Sequence, residues 1–230
     1  VVGVSGGIDS SVVSTLCART GIKTLVASMP ISQRPEHHDL SIKHKDWLTS
    51  KYQNAYGVEI DLTGTYLSFE NSMTDKKFTE SLGFANSKAR LRMMTLYQIS
   101  ASTSGIVVGT GNKIEDFGVG FYTKYGDGGV DISPIADCTK TQVWAMGKEL
   151  GILEEIQMAE PTDGLWSDGR TDTDQLGMSY KEIEHLMSRP DEVGYDKYLA
   201  IRKKNLHKMK PIPVCKFDGK DTLDTDQKKT

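Results

Sequence analysis

The sequence predicts an α/β protein with a doubly wound, mostly parallel sheet that has helices on both faces. Short apolar runs alternate with longer stretches of helical character, and a glycine-rich turn follows the first apolar run. Apolar strands that are separated by helices are typical of a parallel sheet covered on both faces. In such sheets ligands bind beyond the carboxyl ends of the strands.

Four short apolar runs are predicted to be strands, at residues 1–4, 23–29, 57–62 and 105–110. A first helix follows the glycine turn and ends at Gly21. Later helices are predicted at residues 39–53, 86–102, 139–150, 179–187 and 195–208. Thr139 is a suitable N-cap and Gly151 a suitable stop for the third of these. Residues 118–131 and 160–177 are rich in loop-forming residues, and we expect the second segment to be a mobile loop.

Composition restricts the class of protein. The chain has 230 residues and a net charge of −3, which predicts one domain (1–216) with a polar tail (217–230) and disfavours nucleic acid as a partner. No apolar run is long enough to span a membrane. Cys17, Cys138 and Cys215 are far apart, which suits a reducing compartment and disfavours disulfides or a zinc site. With no signal peptide before the first strand, we expect a cytoplasmic protein.

The turn after the first strand, SGGIDSS, predicts a phosphate site. Its glycines let the backbone approach a ligand, and the free amides of a helix N-terminus favour an anion. Asp9 would repel a phosphate unless it holds a divalent cation that bridges to it. A simple helix N-cap is the alternative interpretation, because Ser and Asp are also common there. The residues predicted to hold the phosphate are Ser5, Gly6, Gly7, Ser10 and Ser11.

This segment resembles the pyrophosphate-binding loop, Ser-Gly-Gly-x-Asp-Ser, of the ATP pyrophosphatase superfamily. Members transfer AMP from ATP to a carboxylate or carbonyl group and release pyrophosphate. The resemblance implies a fold like that of the adenine nucleotide alpha hydrolases and ATP as a substrate. The loop is not a Walker A motif, because no Gly-Lys-Ser/Thr follows it.

Three later segments resemble those of the NAD synthetase family: GTGNKIED at 109–116, GFYTKYGDGGVD at 120–131 and PIADCTKTQV at 134–143. The resemblance covers about residues 1–213. It implies an ammonia-dependent ligase that adenylates the nicotinate carboxylate of deamido-NAD with ATP and amidates it, giving NAD, AMP and pyrophosphate. It also implies a homodimer with the dinucleotide near its interface. The alternatives are another ATP pyrophosphatase, related to GMP synthetase or to tRNA-modifying enzymes, and a non-catalytic ATP-binding sensor.

The metal and phosphate ligands form one predicted group. Glu115 follows the fourth strand at the edge of the sheet where Asp9 also lies, and two hard oxygen ligands suit the Mg²⁺ that ATP carries. Lys140 begins a helix, where a cation opposes the helix dipole unless an anion is near. The resemblance makes Lys140 a phosphate ligand. Further residues are assigned to ATP binding on the same basis: Met29, Arg92, Thr110 and Thr162. Loop or capping roles are the alternatives for Glu115 and the threonines.

The dinucleotide site is predicted mainly from the resemblance. NSKARLR at 86–92 matches the family motif Asn-x-x-Ala-Arg-x-Arg in full. Arg90 and Arg92 diverge by roughly 200° on a helix, so that each can face a different ligand or subunit. Tyr97 and Phe121 match aromatics that lie near the pyridine ring, although core packing is an alternative for Tyr97. The residues predicted to bind deamido-NAD are Asn86, Arg90, Tyr97, Phe121, Lys124, Asp127, Asp131, Asp172 and His207.

Four residues are candidates for catalysis: Asp9, Asp127, Lys140 and Thr162. We expect Asp127 to position or deprotonate the incoming ammonia. Residues 162–177 are the candidate lid, because water would hydrolyse an activated carboxylate. Family members that use glutamine resemble fusions with an amidase domain. The matched segments fill this chain from Ser5 nearly to its end, so free ammonia is the expected nitrogen donor. Thr173 and Met209 depart from the family pattern, and no role is transferred to them.

Overall fold

Three parallel strands form the centre of the computed structural model, which describes residues 1–33, 35–166 and 168–215. The strands are β1 (Val2–Gly3), β2 (Thr24–Ser28) and β3 (Ala55–Glu59), in the order β1-β2-β3. The helices of the described residues are α1 (Ile8–Arg19), α2 (Pro35–Lys51), α3 (Thr63–Ser72), α4 (Ser81–Thr103), α5 (Lys140–Glu149), α6 (Glu154–Met158), α7 (Asp172–Leu176), α8 (Tyr180–Leu186) and α9 (Tyr195–Met209). A π-helical turn spans Ile114–Val119.

Helices cover both faces of the sheet, as the sequence predicts. Consecutive residues of β2 enter different apolar clusters: Val26 packs in the cluster that includes α1, α2 and α5, and Ala27 packs in the cluster of α3 and α4. Successive side chains of a strand point to opposite faces, so each cluster lies on its own face of the sheet. The predicted parallel α/β fold is therefore confirmed.

The predicted fourth strand, residues 105–110, is only partly formed, and the prediction needs correction. The Val108 amide donates to the Val1 carbonyl oxygen at 2.9 Å, and Val108 pairs with Ile132 at a single parallel bridge. The Gly109 amide donates to the Ile132 carbonyl oxygen at 2.8 Å. The segment thus bonds to Val1, next to β1, on one side and to Ile132 on the other. It extends the sheet beyond β1 but forms no continuous ladder with either partner.

Several element boundaries also differ from those predicted. α4 begins five residues before residue 86, because the Glu80 carboxylate accepts hydrogen bonds from the Leu82 and Gly83 amides. The segment 160–177, predicted to be a loop, contains α7. The predicted loop 118–131 begins inside the π-helical turn, and α3 was not predicted. The start of the 139–150 helix is confirmed, since the Thr139 hydroxyl caps α5 in a capping box.

A third apolar cluster joins the C-terminal helices to the π-helical turn. It contains Ile114 and Val119 from the turn, Leu176 from α7 and Ile183 from α8, together with Tyr198 from α9. These helices therefore hold the segment that carries Glu115. No helix of the described residues has both the length and the apolar character needed to cross a membrane. The predicted tail, 217–230, lies outside the described residues.

Behind the first loop, α2 supports α1 through a buried histidine. His44 is fully buried, and its Nε2 lies 2.8 Å from Ser14 Oγ. The Ser14 hydroxyl in turn lies 2.7 Å from the Ser10 carbonyl oxygen. Burial lowers the pKa of His44 to about 4, so the ring is neutral in the folded protein at neutral pH.

We predict that acid destabilises the fold through His44. An unfolded histidine titrates near pH 6.5, and the folded one titrates near 4. Between these values the unfolded state binds more protons, so stability falls as the pH falls. Between about pH 7.5 and about pH 5, wild type should lose about 2 kcal/mol more than His44→Gln in urea unfolding. His185→Gln, at an exposed histidine, is the control, and equal pH slopes for wild type and His44→Gln would contradict the prediction.

Candidate active site

A cleft of about 740 Å³ opens beyond the carboxyl ends of β1 and β2. Its floor is the loop after β1, and its walls come from α4, the segment after residue 107 and the loop before α7. A cleft of this size is in the range that holds nucleotide-sized ligands. The position beyond the strand ends is the one predicted from the sequence.

The loop after β1 has the geometry of an anion site. Gly6 has φ +86°, a left-handed conformation that favours glycine. The Gly7 amide donates to Ser5 Oγ at 3.2 Å, and the Ser10 hydroxyl donates to the Gly7 carbonyl oxygen at 3.1 Å. The first amides of α1 have no carbonyl one turn earlier, so they are free to bind a phosphate. Ser11 does not line the cleft: it is fully buried, and its hydroxyl donates to Gly7.

Lys140 lies at the centre of the site and is 2% exposed. Its Nζ donates to Asp9 Oδ2 at 2.5 Å and to Glu115 Oε1 at 3.1 Å. Burial acts against the ammonium charge, but the two carboxylates outweigh it and raise the pKa of Lys140. The structure thus brings the three predicted phosphate and metal residues together. Asn112, which the sequence reasoning missed, donates from Nδ2 to Asp9 Oδ1 at 2.9 Å.

Tyr180 is a second residue that the sequence reasoning missed. Its hydroxyl lies 2.6 Å from Glu115 Oε1 and 2.7 Å from Asp172 Oδ2. A hydroxyl has one proton, so it donates to one carboxyl group and accepts from the other, which must be protonated. Burial raises the pKa of both carboxyl groups, that of Asp172 to about 7, which supplies this proton near neutrality. Asp172, predicted to bind the dinucleotide, therefore lies at the metal and phosphate end of the cleft.

Asp9 and Glu115 fit a divalent cation that arrives with ATP. The carboxylates of Asp9 and Glu115 face the single positive charge of Lys140, and the Asp172 carboxyl group lies beside them through its contact with Tyr180. Oδ1 of Asp172 is buried and has no hydrogen-bond partner among the described residues. Mg²⁺ is usually held by one or two protein carboxylates together with substrate phosphates. Among the described residues, no group of three or more His, Cys, Asp or Glu side chains is placed to hold a metal ion by itself. A cation held by two carboxylates would take its other ligands from the phosphates of ATP.

The other residues predicted to bind ATP also line the cleft: Met29, Arg92, Thr110 and Thr162. Arg92 Nε donates to the Met29 carbonyl oxygen at 2.9 Å. Its Nη2 is buried without a hydrogen-bond partner in the described structure. Burial lowers the pKa of Arg92 to about 10, so the side chain remains a cation at neutral pH with a free donor. The Thr162 hydroxyl donates to the Arg170 carbonyl oxygen at 3.1 Å.

Three more residues predicted to bind deamido-NAD line the cleft, namely Asn86, Phe121 and Asp127. The Thr123 hydroxyl donates to Asn86 Oδ1 at 2.7 Å, and the Thr123 amide donates to Asp127 Oδ1 at 3.0 Å. Thr123 therefore holds both side chains in place. The surrounding protein raises the pKa of Asp127 to about 6, although the residue remains open to solvent inside the cleft.

The remaining five predicted dinucleotide residues do not line the cleft. Arg90 Nε donates to the Lys124 carbonyl oxygen, and Lys124 Nζ donates to that of His207, both at 3.2 Å. The Tyr97 hydroxyl donates to Asp131 Oδ1 at 3.0 Å. These residues thus belong to the flank of the molecule beside α4, outside the cleft.

The segment predicted to be a lid closes one side of the cleft. Trp166 Nε1 donates to Gln175 Oε1 at 2.9 Å, and Gln175 Nε2 donates to Asp163 Oδ2 at 3.0 Å. Lys88 of α4 donates to the Leu165 carbonyl oxygen at 3.0 Å. The segment is therefore tied to itself and to the opposite wall of the cleft.

The first strand leads into the segment SGGIDSS, and a buried lysine contacts the aspartate of that segment. These are features of a nucleotide-binding protein of the ATP pyrophosphatase class. Within this class the chain belongs to the NAD synthase family, because the model of that family matches residues 1–216. The resemblance found in the sequence is thus confirmed.

Similar proteins agree with this assignment. An NH(3)-dependent NAD(+) synthetase of Carboxydothermus hydrogenoformans is 39% identical over 81% of this chain and 75% of its own length. An NMN synthetase structure from Francisella tularensis has a TM-score of 0.85 and 32% identity, over 94% of this chain and 88% of its own. An NH3-dependent NAD synthetase structure from Campylobacter jejuni has a TM-score of 0.71 at 24% identity, with the same coverage, and shows the shared fold.

We predict that Lys140→Met strongly destabilises the protein, since Asp9 and Glu115 would lose their buried counter-charge. Removing one partner of a buried ion pair commonly costs about 3–5 kcal/mol. The measurement is urea unfolding without divalent cations. Lys113→Met is the control, because Lys113 pairs with a largely exposed Asp137, and it should cost less than about 1 kcal/mol. Equal stability of Lys140→Met and wild type would contradict the prediction.

Proposed function

We propose that this chain is an ammonia-dependent NAD synthetase. It adenylates the nicotinate carboxylate of deamido-NAD with ATP, releases pyrophosphate, and replaces AMP with ammonia to form the amide of NAD. The observation that carries the proposal is the pairing of the buried Lys140 with Asp9 and Glu115 beside the phosphate loop, in a chain of the NAD synthase family.

The phosphate end of the cleft activates ATP in this proposal. The loop amides at the start of α1 hold the β- and γ-phosphates, and Lys140 supplies a fixed positive charge where negative charge develops on the departing pyrophosphate. Mg²⁺, when bound by Asp9 and Glu115, neutralises phosphate charge. Arg92 has a free buried donor for a second anionic group. All of these roles are positioning and electrostatic stabilisation.

The second half of the reaction uses the opposite side of the cleft. Asp127 faces the cleft with a pKa raised to about 6, so it is ionised at neutral and alkaline pH and can accept the proton that the nitrogen loses as the amide bond forms. The un-ionised ammonia then attacks the activated carbonyl carbon, and AMP leaves. The lid tied by Trp166 and Gln175 limits the access of water to that intermediate.

A homodimer is part of the proposal. The exposed side of α4 carries Arg90, Met94 and Tyr97 at helical spacing, and Met94 is 63% exposed. The predicted dinucleotide residues outside the cleft lie on the same flank. A second copy packed there would bring them toward the part of the dinucleotide that leaves the cleft. The cytoplasmic location remains a prediction from the cysteines, which are all free.

A second candidate activity is supported by the structural comparison. The NMN synthetase structure is more similar to this chain, with a TM-score of 0.85 and 32% identity, than the Campylobacter jejuni NAD synthetase, with 0.71 and 24%. The substrate would then be nicotinate mononucleotide, which has the same reacting carboxylate but lacks the AMP half. The chemistry at the phosphate loop is unchanged, and only the outer binding surface would differ.

The substrate prediction distinguishes these activities. With ATP, Mg²⁺ and ammonium, kcat/KM for deamido-NAD should exceed that for nicotinate mononucleotide by at least about tenfold, because the larger substrate gains additional binding contacts. The rate should rise from neutral to alkaline pH, as the fraction of un-ionised ammonia rises. Ammonia-free glutamine is the negative control for the donor. A preference for the mononucleotide would establish the second activity, and robust turnover with glutamine would refute the donor assignment.

The metal prediction concerns Asp9→Asn and Glu115→Gln. Each should lower kcat by at least about a hundredfold, since a lost metal ligand removes several kcal/mol of charge stabilisation. Circular dichroism should show a retained fold. Asp137→Asn, at an exposed carboxylate, is the matched control and should keep wild-type turnover. If both site variants keep near-normal rates at saturating Mg²⁺, the metal assignment is wrong.

A further inference from the structure

We propose that Tyr180 is a positioning residue for the metal and phosphate site: its hydroxyl orients the Glu115 carboxylate and its ring holds the Lys140 ammonium group. This role rests on the proposed function of Asp9, Glu115 and Lys140. Tyr180 is 4% exposed and lies outside the reacting groups, so it acts through its neighbours.

The contacts of the side chain are specific. The hydroxyl lies 2.6 Å from Glu115 Oε1, the same oxygen to which Lys140 donates at 3.1 Å. The ring centroid is 4.5 Å from Lys140 Nζ, within the range of a cation–π interaction. Tyr180 thus contacts both charged groups at once. Without its hydroxyl, Lys140 would be the one remaining group that orients this Glu115 oxygen among the described hydrogen bonds.

The backbone of Tyr180 is held rigidly enough for this role. It is the first residue of α8, and a reciprocal capping box between Ser179 and Glu182 fixes the start of that helix. From the same helix, Glu184 accepts hydrogen bonds from the Thr141 amide and hydroxyl, both at 2.8 Å. Thr141 directly follows Lys140, so α8 fixes the residue next to the lysine as well.

Packing joins the same elements. Trp144 of α5 meets the Tyr180 ring edge-on, with the ring centroids 6.3 Å apart. Ile183 of α8 is fully buried in the cluster with Ile114, one residue before Glu115. The second contact of the hydroxyl is with Asp172 of α7, at 2.7 Å. Tyr180 therefore connects the lysine, the glutamate and the end of the lid segment.

A residue that hydrogen-bonds to a metal ligand orients that ligand, and losing such a residue typically costs about 10- to 100-fold in metal affinity or activity. Tyr180→Phe keeps the ring and removes the hydroxyl oxygen alone. We expect the apparent dissociation constant for Mn²⁺, measured by paramagnetic resonance with α,β-methylene ATP present, to rise by about 10- to 100-fold. Binding of the nucleotide analogue in EDTA should stay close to wild type, because the loop amides are unchanged.

The matched control is Tyr66→Phe. Tyr66 is also 4% exposed, and its hydroxyl donates to a carboxylate, Glu70 Oε1, at 2.9 Å, on α3 away from Lys140. This variant should bind Mn²⁺ like wild type. A Mn²⁺ affinity of Tyr180→Phe that equals that of wild type would overturn the proposal. Raising Mg²⁺ should restore the turnover of Tyr180→Phe, and a rate defect that no Mg²⁺ concentration relieves would argue for a merely structural role.

A second measurement keeps the hydroxyl group of residue 180 in place. 3-Fluorotyrosine placed at position 180 should shift its ¹⁹F resonance when Mg²⁺ is added to the complex with the ATP analogue, and the same label at position 66 should not. An unmoved resonance at position 180 would overturn the proposal. Neither binding measurement uses deamido-NAD or ammonia, so an error in the proposed overall reaction would leave these results interpretable.

Discussion

The ion pairs that the buried Lys140 forms with the half-buried Asp9 and Glu115 are the interaction on which the rest of the site depends. They join the loop after β1, the π-helical turn and the start of α5. A lysine that is 2% exposed is tolerated only with nearby counter-charges. The arrangement therefore fixes three separate segments of the chain at one point, beside the free amides at the start of α1.

Acidic side chains outnumber cationic ones around Lys140. Two carboxylates face the single charge of the lysine, and burial raises the pKa of the nearby Asp172 carboxyl group to about 7. A site with this composition is suited to accept further positive charge together with phosphate. On another wall of the cleft, Nη2 of Arg92 is buried without a hydrogen-bond partner in the described structure. In the proposed reaction these groups face ATP, its Mg²⁺ and a second anionic group.

The C-terminal helices give the site its rigidity. α7, α8 and α9 pack on the π-helical turn through Ile114 and Val119, and α8 is bonded directly to the start of α5 through Glu184 and Thr141. Tyr180 lies where these contacts meet. The lid segment leads into α7, so its position is linked to that of Glu115 by the same packing.

The sequence by itself determined the local features: the glycine turn SGGIDSS, the Thr139 cap of α5 and the parallel sheet with a ligand site at its strand ends. These depend on neighbouring residues or on regular apolar spacing. Tertiary structure alone decided that Lys140 contacts Asp9, 131 positions away, and that Tyr180 contacts Glu115, 65 positions away. The physical reason is that such pairings are selected by burial and by charge compensation between distant segments, and neither leaves a periodic pattern along the chain.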